Sequence, residues 1–321
     1  MSDTPSYRPP QTLDPRALMR IQSLELRARC VMEGFLTGLH RSPFHGFSVE
    51  FSEYRSYVPG DDPRNLDWRL YARSDRYYVK QFEDETNLRC HLAVDVSSSM
   101  NYGSLGFTKA DYARTLAATF ACFLLQQRDA VGLARIDQHL EELIPARFRP
   151  GQWRRILTGL ERSFPQKRTD LPTALDQLAE RIHRRGMVVL ISDFLSERAA
   201  NSADQSAAVL SQRLERTLGQ LTARGHDVAV IRIMDPAEVD FSFTDSELFI
   251  DMETGQELSI DPIVAGENYR RRFAQHREEF AALCGRLGIP LQEVVTSQPL
   301  ETVLADFLNR RPTRTTAARN R

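Results

Sequence analysis

From about residue 88 onward the apolar residues of this chain alternate between two rhythms. One is a short, nearly unbroken run: Leu92, Ala93, Val94 and Val96, then residues 187–191, then residues 227–234. Such runs, bounded by polar residues, describe strands covered on both faces, as in a parallel sheet. The other rhythm repeats every three or four residues. In 109–127 it sets Tyr112, Leu116, Thr119, Phe120, Phe123 and Leu124 along one face of a helix. Similar spacing predicts helices over 153–164, 171–185, 203–224, 269–287 and 300–308. Residues 130–137 and 140–147, separated by a short turn, predict a hairpin, and 291–295 a last strand. Strand and helix in alternation predict an α/β class: a doubly wound, mostly parallel sheet flanked by helices, with right-handed crossovers.

The first 87 residues follow another pattern. Residues 1–12 are polar and Pro-rich, which predicts disorder. Over 13–39, Leu18, Ile21, Leu24, Leu26, Val31, Phe35 and Leu39 recur near helical spacing, and Asp14-Pro15 supplies a cap and a first position. This predicts one N-terminal helix. Residues 40–87 read as a small β-rich segment, with alternation at Phe47, Val49 and Phe51, a β-prone stretch at 77–82, and turn signals at Pro59-Gly60 and Asp62-Pro63. Its loop carries Asp61, Asp62, Arg64, Trp68 and Arg69. Two readings stand open there: Arg–Asp pairs that pin the loop to the main domain, or a partner-binding surface. The main domain is expected over 88–309, with a hairpin insertion at about 236–261 around Thr254-Gly255. Residues 310–321 hold five arginines and no acid, which predicts a disordered basic tail.

Bulk composition narrows the functional classes. The 321 residues include 42 basic and 43 acidic ones, a net charge of −1 with no global basic excess that would call for nucleic acid. The longest apolar stretch, 116–125, is far below the ~20 residues a spanning helix needs. The N-terminus lacks the basic-then-apolar pattern of a secretory signal, so a cytoplasmic location is expected. Cys30, Cys90, Cys122 and Cys284 are scattered without a CxxC and read as reduced thiols. HExxH, GxSxG, GxxxxGK[ST] and GxGxxG are all absent from the sequence.

Chemistry concentrates where the first apolar run ends. The strand breaks into Asp95, Ser97, Ser98 and Ser99, and a period of two puts Asp95, Ser97 and Ser99 on one side. In open α/β sheets the carboxyl ends of strands form the ligand-binding rim. Thr169, just before a helix, and Asp193, just after the strand at 187–191, belong on that rim too. Carboxylates and hydroxyls are what a hard divalent cation accepts. Two carboxylates within ~4 Å would repel by roughly 4 kcal/mol at an effective dielectric of 20. Either one is protonated or a cation sits between them. A cation held by so few acids still attracts a further carboxylate, one offered by another protein.

The segment DVSSS, with Thr169 and with Asp193 in SDF, resembles the metal-ion-dependent adhesion site of von Willebrand factor A domains. The order of elements is similar to that fold over about 88–308. The stretch EYRSYVPGDDPRNLDWRLYARSDRYYVKQFEDE resembles the front segment of the bacterial family called domain of unknown function 58. The resemblance implies a von Willebrand A-like fold and Mg²⁺ (or Mn²⁺) held by Asp95, Ser97, Ser99, Thr169 and Asp193. It further implies a non-enzymatic protein-interaction module working with a MoxR-type AAA+ ATPase, or with its client, in protein maturation or remodelling. Two departures stand out: many relatives carry membrane helices near the N-terminus, and the hairpin around Thr254-Gly255 is extra to a minimal von Willebrand A fold. The alternatives are a haloacid dehalogenase-like phosphatase, with Asp95 as nucleophile and Lys109 or Lys167 supporting phosphate, and a metal-free scaffold. The phosphatase wants a second acid two residues after its nucleophile, where this chain has Ser97.

Overall fold

A computed structural model of the chain describes residues 12–41, 54–56, 71, 73, 78–80, 88–163, 169–195, 205–241, 243, 247–250, 257–260 and 262–310. The chain divides into two compact units, residues 39–87 and the remainder. In the smaller unit, β1 (Tyr54–Ser56) pairs antiparallel with β2 (Tyr78–Lys80), with Arg55 opposite Val79. Phe47, Val49 and Phe51 lie outside the described residues, as do Asp61, Asp62, Arg64, Trp68 and Arg69. So does most of the expected basic tail.

The larger unit opens with two helices where the apolar spacing predicts one. Asp14 accepts a hydrogen bond from the Arg16 amide at 2.9 Å and Pro15 takes the first helical position, starting α1 (Pro15–Met19). The helix stops at Arg20. It restarts as α2 (Leu24–Arg41) because Ser23 acts as a fresh cap: its hydroxyl accepts from the Leu26 amide at 3.3 Å and its carbonyl from the Arg27 amide at 3.0 Å. Leu24, Ala28, Val31, Met32 and Phe35 form the buried face of α2.

The strands are β3 (Arg89–Asp95), β4 (Ala130–Ile136), β5 (Leu140–Arg147), β6 (Met187–Ser192), β7 (Asp227–Met234) and β10 (Leu291–Val295). They form one sheet in the order β10-β7-β6-β3-β4-β5. All neighbours are parallel except the edge pair β4–β5, which is the expected hairpin. Close approach there requires Gly132, since a Cβ at that position would lie 2.5 Å from the Ile144 carbonyl oxygen. The remaining helices are α3 (Lys109–Gln126), α4 (Gln152–Glu161), α5 (Leu171–Arg181), α6 (Gln205–Ala223), α7 (Pro236–Asp240), α8 (Pro262–Arg286) and α9 (Leu300–Arg310). The insertion begins with α7 and continues as an antiparallel pair, β8 (Glu247–Ile250) and β9 (Glu257–Ile260).

Helices cover both sheet faces. On one, Leu175 and Leu178 of α5, Leu218 and Leu221 of α6, and Phe280 and Leu283 of α8 pack with Ala93, Val188, Leu190 and Val230 of the strands. The other face carries α3, where Tyr112, Leu116, Thr119, Phe120, Phe123 and Leu124 are all buried as their spacing predicts. Phe120 meets Phe307 of α9 edge-on at 4.8 Å, and Phe123 meets Phe35 of α2 at 5.7 Å. Taken in chain order, the sheet is wound outward in both directions from β3 and β6. The gap between these two neighbours is therefore the topological switch point, the place where open α/β sheets form a ligand crevice beyond the carboxyl ends of their strands.

Candidate metal centre

Both sides of that crevice end in a carboxylate. Asp95 is the last residue of β3 and is fully buried. One of its oxygens accepts from the Ser97 amide at 2.9 Å, the other from the Ser192 hydroxyl at 2.5 Å. The second bond ties the end of β3 to the end of β6. After Asp95 the chain turns tightly into a 3₁₀ turn, Ser98–Asn101, with Ser97 preceding it in extended conformation. The turn brings the Ser97 and Ser99 hydroxyl oxygens to 3.1 Å from each other. Ser97 is buried and Ser99 half-buried.

On the β6 side Asp193 is also buried. Its Oδ1 accepts from the Leu195 amide at 3.0 Å and its Oδ2 from Lys109 Nζ at 2.8 Å. The next residue, Phe194, has φ of 53°, a left-handed conformation that a bulky side chain adopts only when its surroundings hold it there. Here the Phe194 amide donates to the Ser192 hydroxyl at 2.9 Å, and its ring lies 4.6 Å from Phe280. The Asp193 backbone is anchored as well, with Arg232 Nε donating to its carbonyl at 3.1 Å.

Thr169 stands immediately before Asp170, the cap of α5. The Asp170 amide donates to the Asp137 carbonyl just past β4, which keeps this loop on the same rim. Thr169 is half-buried and lines one cavity together with Phe194 and Leu195. Asp95, Ser97 and Ser99 thus lie together after β3, Asp193 follows the neighbouring strand close enough to act on the Asp95 carboxyl, and Thr169 borders the Asp193 loop.

The charges are not in balance. Burial, and after it the neighbouring Asp193, push the Asp95 carboxyl up to about 7, while hydrogen bonds from Ser192 and Ser97 pull the other way. Burial is thus the larger cost to the Asp95 charge, with Asp193, itself paired to Lys109, adding to it. Among the described residues no group of three or more His, Cys, Asp or Glu side chains is arranged to hold a metal. The donor set fits a hard cation only if hydroxyl oxygens complete it, as Ser97, Ser99 and Thr169 would.

Sequence reasoning missed several members of this cluster. Ser192 directly follows the apolar run 187–191, where it reads as part of the turn. Lys109 enters the sequence reading only as a phosphate support in the phosphatase alternative, yet it is wholly buried between Asp193 and Glu238. Burial pushes its ammonium down, but the two carboxylates outweigh this and raise it. Glu238 could have been suspected from DPAEVD, which reads as a capping box, and it does close one with Asp235.

Comparison with known proteins adds a family. The model of the family described as "Protein of unknown function DUF58" matches residues 53–282. The chain belongs to this family. Among curated relatives, the Uncharacterized protein Rv1480 of Mycobacterium tuberculosis is 30% identical over 291 residues, covering 89% of this chain and 86% of that protein. The same figures hold for the Uncharacterized protein Mb1516 of Mycobacterium bovis. Solved structures similar to this DUF58 chain include the conserved hypothetical protein BatB from Bacteroides thetaiotaomicron, 13% identical, with a TM-score of 0.41 over 69% of this chain and 97% of that one. The SpRpn10 VWA domain is 12% identical, with a TM-score of 0.36 over 70% of this chain and 96% of that one. The fold assignment itself rests on the strand order and pairing given above.

Proposed function

We propose that this DUF58 chain is a non-enzymatic protein-interaction module whose contact point is a metal-ion-dependent adhesion site. Asp95, Ser97, Ser99, Thr169 and Asp193 would hold Mg²⁺ (or Mn²⁺). When bound, the ion supplies a Lewis-acidic position that accepts a carboxylate oxygen from a partner. The chain's own residues do the rest. The Ser97 amide and the Ser192 hydroxyl fix both oxygens of Asp95, and the turn at Ser98–Asn101 holds the two serine hydroxyls together. The observation that carries the reading is the pairing of a buried, upshifted Asp95 with two converging hydroxyls at the switch point of the sheet.

The family resemblance suggests the partner: a MoxR-type AAA+ ATPase, or a client it matures or remodels, offering an acidic side chain. Asp95 is poorly suited to act as a phosphatase nucleophile, because Ser97 stands where the acid that would protonate a leaving group belongs. The test is capture of such a partner by the tagged full chain, with Mg²⁺ and with chelator. Retention in Mg²⁺, with loss both in chelator and in Asp95→Ala, is expected. Equal retention in all three would point to a scaffold that works without metal.

A further inference from the structure

Lys109 begins α3, the helix that follows β3, and none of its side chain reaches solvent. Its ammonium donates to Asp193, beyond β6, at 2.8 Å and to Glu238, in α7 beyond β7, at 2.5 Å. It therefore joins the loops that follow three neighbouring strands. The second oxygen of each acid is also taken: Asp193 Oδ1 by the Leu195 amide, Glu238 Oε2 by the Asp235 amide at 2.9 Å. Each oxygen of Asp193 thus has a hydrogen-bond donor without any metal. Lys109 is shared by two buried or largely buried carboxylates, Asp193 and Glu238, with the Arg232 guanidinium also bound to the Asp193 backbone, while Asp95 stands on the far side of Asp193.

We propose that Lys109 is a positioning residue of the adhesion site, a resident counter-ion that fixes Asp193 and weakens the grip of the site on divalent cations. This rests on the metal reading above. The reason is Coulombic: a positive charge in direct contact with one ligand repels an incoming cation, and in a buried site that repulsion is only weakly screened. Glu238 acts with the opposite sign, since it neutralises Lys109.

The sign makes the proposal testable with the full chain. Calorimetric titration with Mg²⁺, backed by Mn²⁺ electron paramagnetic resonance, should show Lys109→Gln binding about tenfold tighter than wild type or better. Glu238→Gln should bind weaker by a similar factor, and the double substitution should return close to the wild-type value. A purely structural lysine predicts instead that both single variants lose affinity together. That result, or unchanged affinity in both, would overturn the proposal while leaving the metal site standing. Silence of wild type and every variant toward both ions would remove the metal reading itself, and this proposal with it. If Lys109→Gln does not fold in chelator, cooperative folding regained on adding Mg²⁺ supports the proposal, and no recovery at saturating Mg²⁺ contradicts it.

Discussion

His91 is buried four residues before Asp95 on β3, and burial, then His226 and Arg89, push its imidazole down to about 4. The folded chain therefore keeps it neutral over a range where an unfolded chain would protonate it. Folded stability from this residue is complete above about 6.5 and is lost as pH falls toward 4, by on the order of 3 kcal/mol if the whole shift is expressed. Asp95 works in the other direction. Its raised carboxyl destabilises the metal-free fold as pH rises from about 4 to about 7. The two slopes oppose each other, so only a comparison of variants isolates either. Denaturation of wild type and His91→Asn from pH 4 to 7 should show the gap between them narrowing as the pH drops. A gap independent of pH would mean that His91 does not titrate as described. Residue-level chemistry was only partly legible in the sequence. Asp95, Ser97 and Ser99 announce themselves because they interrupt an apolar run. Lys109 does not, since nothing in a linear pattern tells a buried ammonium from an exposed one.

At the scale of elements, apolar periodicity located what packing then confirmed. The face predicted for α3 is the buried face, and Phe120 at its centre sits against Phe307. Phe120→Ala should lower unfolding free energy by about 3–5 kcal/mol, read from the denaturant midpoint at unchanged slope. An unmoved midpoint would contradict the packing. Boundaries were harder to read. The N-terminal helix is split because the local cap at Ser23 competes with a periodicity that runs straight through it. Helix α8 begins at Pro262, about two turns before the apolar spacing becomes regular at Tyr269. The Asp261-Pro262 pair carried that information, just as Asp14-Pro15 did for α1 and Asp235-Pro236 for α7. Phe194 shows the opposite case, a left-handed aromatic residue that no propensity would predict. Ser192 and Phe280 hold it there, and with it the Asp193 loop.

For the molecule as a whole, the winding order of the sheet brings distant stretches of sequence to one crevice. Asp95 and Asp193 are nearly a hundred residues apart, yet they flank neighbouring strands because the chain reverses its winding between β3 and β6. The class of fold was readable from alternation alone. Which loops share a rim followed from the parallel arrangement, and how tightly Asp193 is already held did not follow at all. Among the described residues no helix is long and apolar enough to cross a membrane. The central claim is that this crevice binds a divalent cation in the folded state, and the thermal midpoint with and without Mg²⁺ tests it most directly. A ligand that binds only the folded state stabilises it by about 2.7 kcal/mol at a hundred times its dissociation constant. Wild type should therefore melt several degrees higher in saturating Mg²⁺ than in chelator, and Asp95→Ala should not shift. An identical shift in both proteins, or none in wild type, would contradict the account.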